Sequence, residues 1–150
     1  MAWITITEDD VVTKLSGPEN SALKTAALKS AQTNPLTEVI EQIVLEVRGH
    51  VAACERNTLG AGATIPDELL GAAINRIRFE LATRLPVSSL LNEDRKEANR
   101  QAIALLQRVA ECKFLVVQPE EAAEDQAGGP AVEVVDETCR RFKRNQMEGL

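Results

Sequence analysis

His50 and Cys54 stand four residues apart in a stretch of helical pattern, a spacing that turns two side chains toward one metal ion. Cys112, from a later helix, is the candidate third donor. Zinc is the metal such a set would hold. The more ordinary reading is stronger. His50 is the only histidine in the chain, and Cys112 falls on an apolar stripe, where a free thiol acts as a small buried hydrophobe. The three cysteines, Cys54, Cys112 and Cys139, show no paired spacing, so reduced thiols are the expectation. Nucleophilic catalysis meets the same shortage, because a serine or cysteine needs a base and His50 is the only imidazole. Carboxylates are plentiful, but they are expected on outward helix faces. Glu93, Asp94 and Glu97 beside Arg95 and Lys96 read as a solvated helix start. Gly60-Ala61-Gly62 lacks the Lys-Ser or Lys-Thr that completes a phosphate loop and reads as a connector. The expectation is a protein that is not an enzyme, with no cofactor and no metal.

Two groups of basic residues remain. Arg76, Arg78 and Arg84 interrupt one helical pattern, and Arg95 and Arg100 open the next. Pairing with nearby acids such as Glu80 or Glu97 is the ordinary role, and surface pairs of that kind contribute little. A subunit interface is the alternative, since a planar guanidinium makes bidentate contacts that lysine cannot. The second group closes the chain as Arg140-Arg141-Phe142-Lys143-Arg144, followed by Met147 and Leu150. It reads as an unstructured basic terminus, a nucleic-acid arm or an assembly peptide. Eight acids between Gln118 and Leu150 outnumber its four cations and weaken any pull toward phosphate. Docking on a protein is favoured, with the partner-binding residues Arg140 to Arg144, Met147 and Leu150 using Phe142, Met147 and Leu150 as apolar anchors and Arg141 and Arg144 to read acidic neighbours.

The elements that would position these residues are helical. Trp3, Ile4 and Ile6 form a short extended lead, and Thr7 caps a helix opening on Glu8, Asp9 and Asp10. It is expected to run to about Leu15 and stop at Gly17-Pro18. Residues 19–31 are rich in Ala, Leu and Lys, with a thin stripe of Leu23, Ala27 and Ala31 that packs loosely or against a neighbouring subunit. Asn34 and Pro35 open a stronger helix to about Arg56, with Val39, Ile40, Ile43, Val44, Val47 and Val51 on one face. Thr64 is expected to cap the next helix, with Pro66 in its first turn and Leu70, Ile74, Ile77, Leu81 and Leu85 as its stripe until Pro86. Residues 93–114 are the last long helix, with Ala98, Ala102, Leu105, Val109 and Cys112 facing inward.

After Val117 the apolar periodicity ends. Residues 118–130 cannot offset their own ordering entropy, and residues 131–135 read as a short strand without a partner in the body. The fold expected is all-α, a small bundle of about four to five helices, with body 1–117 and linker and tail 118–150. A net charge of −6 argues against a general nucleic-acid-binding body. No apolar run has the length of about 18 residues that a membrane span requires, and the first residues lack the basic flank of a signal peptide, so no membrane association is expected.

The order of these features resembles the head-tail connector proteins of tailed phages, in particular the small helical adaptor of Mu-like phages and prophages. The words that carry it are Met-Ala-Trp-Ile-Thr at the start, the Val/Ile helix, the Gly loop, Ile-Pro-Asp-Glu-Leu-Leu, Ala-Ile-Asn-Arg-Ile-Arg-Phe-Glu-Leu, and the ending with Arg141-Phe142-Lys143-Arg144, Met147 and Gly149-Leu150. It spans nearly the whole chain. This chain departs from the group in carrying His50, Cys54 and Arg56 where others place Tyr, and in its Ala-rich residues 19–31 where others have an acidic loop. The resemblance implies a structural virion protein at the head-tail interface, assembled in the bacterial cytoplasm. It implies a homo-oligomeric ring of about twelve copies below the portal protein, joined to a stopper or tail-terminator protein. Double-stranded DNA would pass its channel without sequence-specific binding. The alternative is a small helical regulatory adaptor that binds nucleic acid through the basic C-terminal hook.

Overall fold

The computed structural model describes residues 3–29, 35–85 and 90–121. The body is all-α. Trp3–Ile4 (β1), Glu8–Val12 (α1), Gly17–Lys29 (α2), Pro35–Ala52 (α3), Ile65–Pro66 (β2), a 3-10 turn at Asp67–Leu69, Leu70–Arg84 (α4) and Glu93–Ala110 (α5) follow one another in the chain. Helices α3, α4 and α5 pack on one another, with α1 lying against α3 and α4.

The core follows from the periodicity. Val39, Ile43, Val47 and Val51 of α3, Ile77 of α4, and Leu106 and Val109 of α5 are fully buried, and Ile65 and Leu69 close one end. Helix α2 meets the rest of the body through Leu23, Ala22 and Ala26. Leu23 enters the main core, while Ala22 and Ala26 lie against a smaller cluster of Ala82, Leu85 and Leu90.

Side-chain hydrogen bonds mark the starts of α1, α2 and α5. Thr7 and Asp10 form a reciprocal capping box, with the Thr7 N–H donating to Asp10 Oδ2 at 2.9 Å and the Asp10 N–H to Thr7 Oγ1 at 3.3 Å. The Thr7 hydrogen bonds hold the Asp10 carboxyl below its ordinary range. The Ser16 N–H donates to Glu19 Oε2 at 2.7 Å at the start of α2, and Asn92 Oδ1 accepts from the Arg95 N–H at 2.9 Å at the start of α5.

Three boundaries differ from the expectation. Helix α1 ends at Val12. Thr64 does not cap α4. Its hydroxyl donates to the Ala61 carbonyl at 2.7 Å, and Ile65 and Pro66 pair antiparallel with Ile4 and Trp3. The extended lead recruits the residues before α4 as its partner, so the helix begins after an intervening 3-10 turn. Helix α5 ends at Ala110 because Cys112 takes a left-handed conformation, φ 58°. The Lys113 N–H then returns to Arg108 O at 2.9 Å and the Cys112 N–H to Val109 O at 3.1 Å, the bonding of a Schellman C-cap. Asn34 and Pro86, expected at helix ends, lie outside the described residues, as does the strand expected at 131–135.

The cysteine expectation is overturned. Cys54 and Cys112 form a disulfide with their Cα atoms 5.3 Å apart. The C-terminal ends of α3 and α5 converge there, so residues separated by 58 positions meet within disulfide reach.

Candidate interaction surface

Three of the five arginines considered for a subunit interface, Arg76, Arg78 and Arg95, are turned into the chain's own structure. Arg76 is buried on α4. Its Nε donates to Glu46 Oε1 at 3.1 Å and its Nη2 to Glu46 Oε2 at 3.0 Å. Nη1 donates to Asn99 Oδ1 at 2.8 Å and Nη2 also reaches Glu80 at 3.2 Å. Burial works to lower the Arg76 pKa, but the Glu46 hydrogen bonds and the charges of Glu46 and Glu80 outweigh it, and the net shift is upward. The guanidinium thus joins α3, α4 and α5 in one polar node.

A second node is centred on Glu19, whose side chain is 4% exposed. It accepts from Arg78 Nη2 at 3.1 Å and pairs with Arg95 Nη1 at 2.7 Å. Burial raises the carboxyl pKa, yet the Ser16 N–H and the Arg78 guanidinium more than reverse this, so Glu19 titrates below its ordinary range. Arg95 is shifted downward, chiefly by burial, and also donates to the Leu90 carbonyl at 2.6 Å. The expectation that carboxylates sit on outward faces fails at Glu19, because the first turn of α2 faces Arg78 of α4 and Arg95 of α5. Arg84 and Arg100 lie nearer the surface, pairing with Glu38 at 3.7 Å and Glu97 at 3.0 Å.

Where the described chain ends, it is clasped. The Trp3 indole N–H donates to the Val117 carbonyl at 2.9 Å, and the Val117 N–H donates to Glu68 Oε2 at 3.2 Å. Val116 is buried, with its N–H on Asn57 Oδ1 at 3.3 Å. The Thr58 N–H donates to Gln118 Oε1 at 3.0 Å. Hydrogen bonds thus tie the chain to the body through Gln118, whose side chain is exposed. The Gly60-Ala61-Gly62 connector is equally tied down. Arg48 donates to the Thr64 carbonyl at 2.7 Å and to the Gly60 carbonyl at 3.1 Å, and Trp3 packs on Gly60 so closely that a Cβ there would lie 2.7 Å from the indole.

Two open surfaces flank this region. One is a cleft of about 480 Å³ walled by Trp3, Ile4 and Pro119 and edged by Asp67, Glu120 and Glu121. The other is a groove of about 520 Å³ along α3, lined by Ile6, Ile40 and Val44 and flanked by Thr5, Glu8 and Gly62. Leu45, 70% exposed, stands at its side.

His50 is half-buried in the last turn of α3, and Cys54 and Cys112, the other two donors of the disfavoured metal set, are bonded to each other. Among the described residues no three metal-ligating side chains gather, and no helix is long and apolar enough to cross a membrane. Arg140, Arg141, Phe142, Lys143, Arg144, Met147 and Leu150 lie outside the described residues. Glu19, Glu46, Asn99 and Asn57 were not expected to matter. The usable signal was the arginines that interrupt an apolar stripe, since each buried one requires an acceptor. Comparison of the chain with protein-family models, with curated proteins and with solved structures returned no match.

Proposed function

We propose that this chain is a structural subunit, a head-tail connector of the tailed-phage type. It would assemble into a ring below a portal and present its C-terminal segment to a partner. The observation that supports this best is the clasp at residues 116–118. The opening word, Trp-Ile, and the inner word, Ile-Pro-Asp-Glu, pair with each other and together hold Val117 through Trp3 and Glu68. The words that carry the resemblance thus fix the point from which the C-terminal segment leaves the body. A terminal assembly peptide needs such an anchor, because a defined origin limits the volume its far end must search.

The groove beside Leu45 is the surface best suited to lateral contact between copies, since an exposed leucine next to an apolar floor gains from being covered. An acidic chain, at net charge −6, suits a channel that DNA must pass without adhering. The test is electron microscopy and native mass measurement of the full chain, alone and with the products of its neighbouring genes. Rings that co-purify with a portal are the expected outcome. A monomer that binds a DNA fragment in a salt-dependent manner would overturn the connector reading and favour the nucleic-acid adaptor.

A further inference from the structure

We propose that the Cys54–Cys112 bond is a redox-controlled latch on residues 113–118, locking them to the body when oxidised and releasing them when reduced. The two cysteines stand at the head of a contact between two chain segments. Beyond the bond, the Val116 N–H donates to Asn57 Oδ1 at 3.3 Å, the Thr58 N–H to Gln118 Oε1 at 3.0 Å, and the Gln118 side-chain amide to the Arg56 carbonyl at 3.4 Å. Without the covalent link, this contact rests on those hydrogen bonds, on buried Val116 and on partly buried Phe114. Leu115 and Val117 stand exposed. A segment with so little burial opens locally, at a smaller cost than global unfolding.

The bond acts through the turn at Cys112. That residue holds φ 58°, a left-handed conformation that crowds an L side chain and is readily left when nothing fixes it. The disulfide fixes it, because its other end, Cys54, is fully buried. With the bond cut, the turn relaxes, and the direction in which residues 113–118 leave α5 is no longer set. Cys112 is only partly buried, so an external dithiol reaches the bond from that side. One thiolate of the dithiol attacks the Cys112 sulfur, the S–S bond breaks, and Cys54 leaves as a thiolate and takes up a proton. The second thiol then displaces Cys112 and closes the reductant's own disulfide. Two electrons and two protons pass from the dithiol to the two cysteines. On the connector reading, the chain is made where thiols are kept reduced and acts in a particle outside the cell, so the latch is open during assembly and shut afterwards. That timing rests on the connector reading, whereas the latch does not.

Hydrogen exchange of the full chain reads the latch at the Val116 and Val117 amides, whose acceptors are Asn57 and Glu68. Cys139→Ser, in every sample, removes the third thiol. In the oxidised chain both amides should be protected. After reduction with dithiothreitol they should exchange about tenfold faster or more, while the α3 amides of Ile43 and Val47 stay far slower. Emission of Trp3, the only tryptophan, should shift to the red at the same time, as its indole loses the Val117 carbonyl. Cys54→Ala/Cys112→Ala should match the reduced chain with or without dithiothreitol. Cys54→Ala/Cys112→Gly should exchange about fivefold more slowly than that variant at Val116, since glycine holds φ 58° without crowding. Val116 and Val117 amides as well protected after reduction as before would overturn the proposal. Equal exchange at Val47 and Val116 after reduction would overturn it too, since the bond would then be a staple of the whole fold. None of these readouts involves ring assembly, so the connector reading stands or falls separately.

Discussion

Arg76 grips Glu46 through two parallel hydrogen bonds, Nε to Oε1 at 3.1 Å and Nη2 to Oε2 at 3.0 Å, while Nη1 reaches Asn99 on a third helix. One guanidinium thereby sets the relative positions of α3, α4 and α5. Replacing Arg76 with Ala should cost about 3 kcal/mol, since it leaves Glu46 and Asn99 without their donor in a largely buried setting. Arg76→Lys should still cost about 1–2 kcal/mol, because an ammonium cannot reproduce the fork. Urea denaturation of both variants, with Glu46→Gln completing a double-mutant cycle, measures this. A lysine variant as stable as wild type would refute the geometric argument.

Glu19 makes a pH prediction. Its folded pKa lies below the ordinary value of 4.5, so the stabilisation it contributes is present above about pH 4.5 and is lost as pH falls through the lower folded value. Glu19→Gln should be less stable than wild type at neutral pH and should lose less on acidification. Melting curves between about pH 7 and pH 3 test it, and parallel acid slopes in the two proteins would count against it.

Gly60 should not tolerate a side chain. A Cβ there would sit 2.7 Å from the Trp3 indole and 2.9 Å from Thr64 Oγ1, so Gly60→Ala must displace the ring or the turn, at about 1–3 kcal/mol. Trimming the ring as well, with Trp3→Leu, should remove the part of that cost due to the indole and leave the part due to Thr64 Oγ1. Thermal denaturation of the four proteins in that cycle decides it.

The Cys54–Cys112 bond closes a segment of 58 residues. Replacing both cysteines by alanine should therefore lower stability by about 2–4 kcal/mol. In the non-reduced, denatured chain one thiol, that of Cys139, should react with a thiol reagent, since three cysteines are present and two are paired. Because Cys112 has φ 58°, Cys54→Ala/Cys112→Gly should be more stable than Cys54→Ala/Cys112→Ala by about 1 kcal/mol.

Truncation locates the edge of the body. A chain ending at Glu121 should melt like the full protein. One ending at Leu115 should lose about 2–3 kcal/mol, because it removes buried Val116 and the hydrogen bonds made by Val117 and Gln118. Loss of ring formation in the stable 1–121 form would place assembly in the C-terminal residues. Unimpaired assembly would show that those residues are dispensable.

Sequence alone determined the helices and their buried faces. Val39, Ile43, Val47 and Val51 recur at helical spacing, and Thr7 is followed by an acid three residues on. Such signals are local, because capping and amphipathic periodicity act within a few residues. The destinations of the polar side chains were decided by tertiary structure. The approach of α2 to α4 and α5 makes Glu19 the acceptor for Arg78 and Arg95. The convergence of two helix ends turns unrelated cysteines into a bridge and lets Cys112 hold a turn that sequence patterns reserve for glycine. The pairing of Trp3 with Pro66 moves the start of α4 and supplies the cleft beside Trp3. These contacts join residues far apart in sequence, and their energy exists only once the intervening chain has folded, so no local pattern announces them.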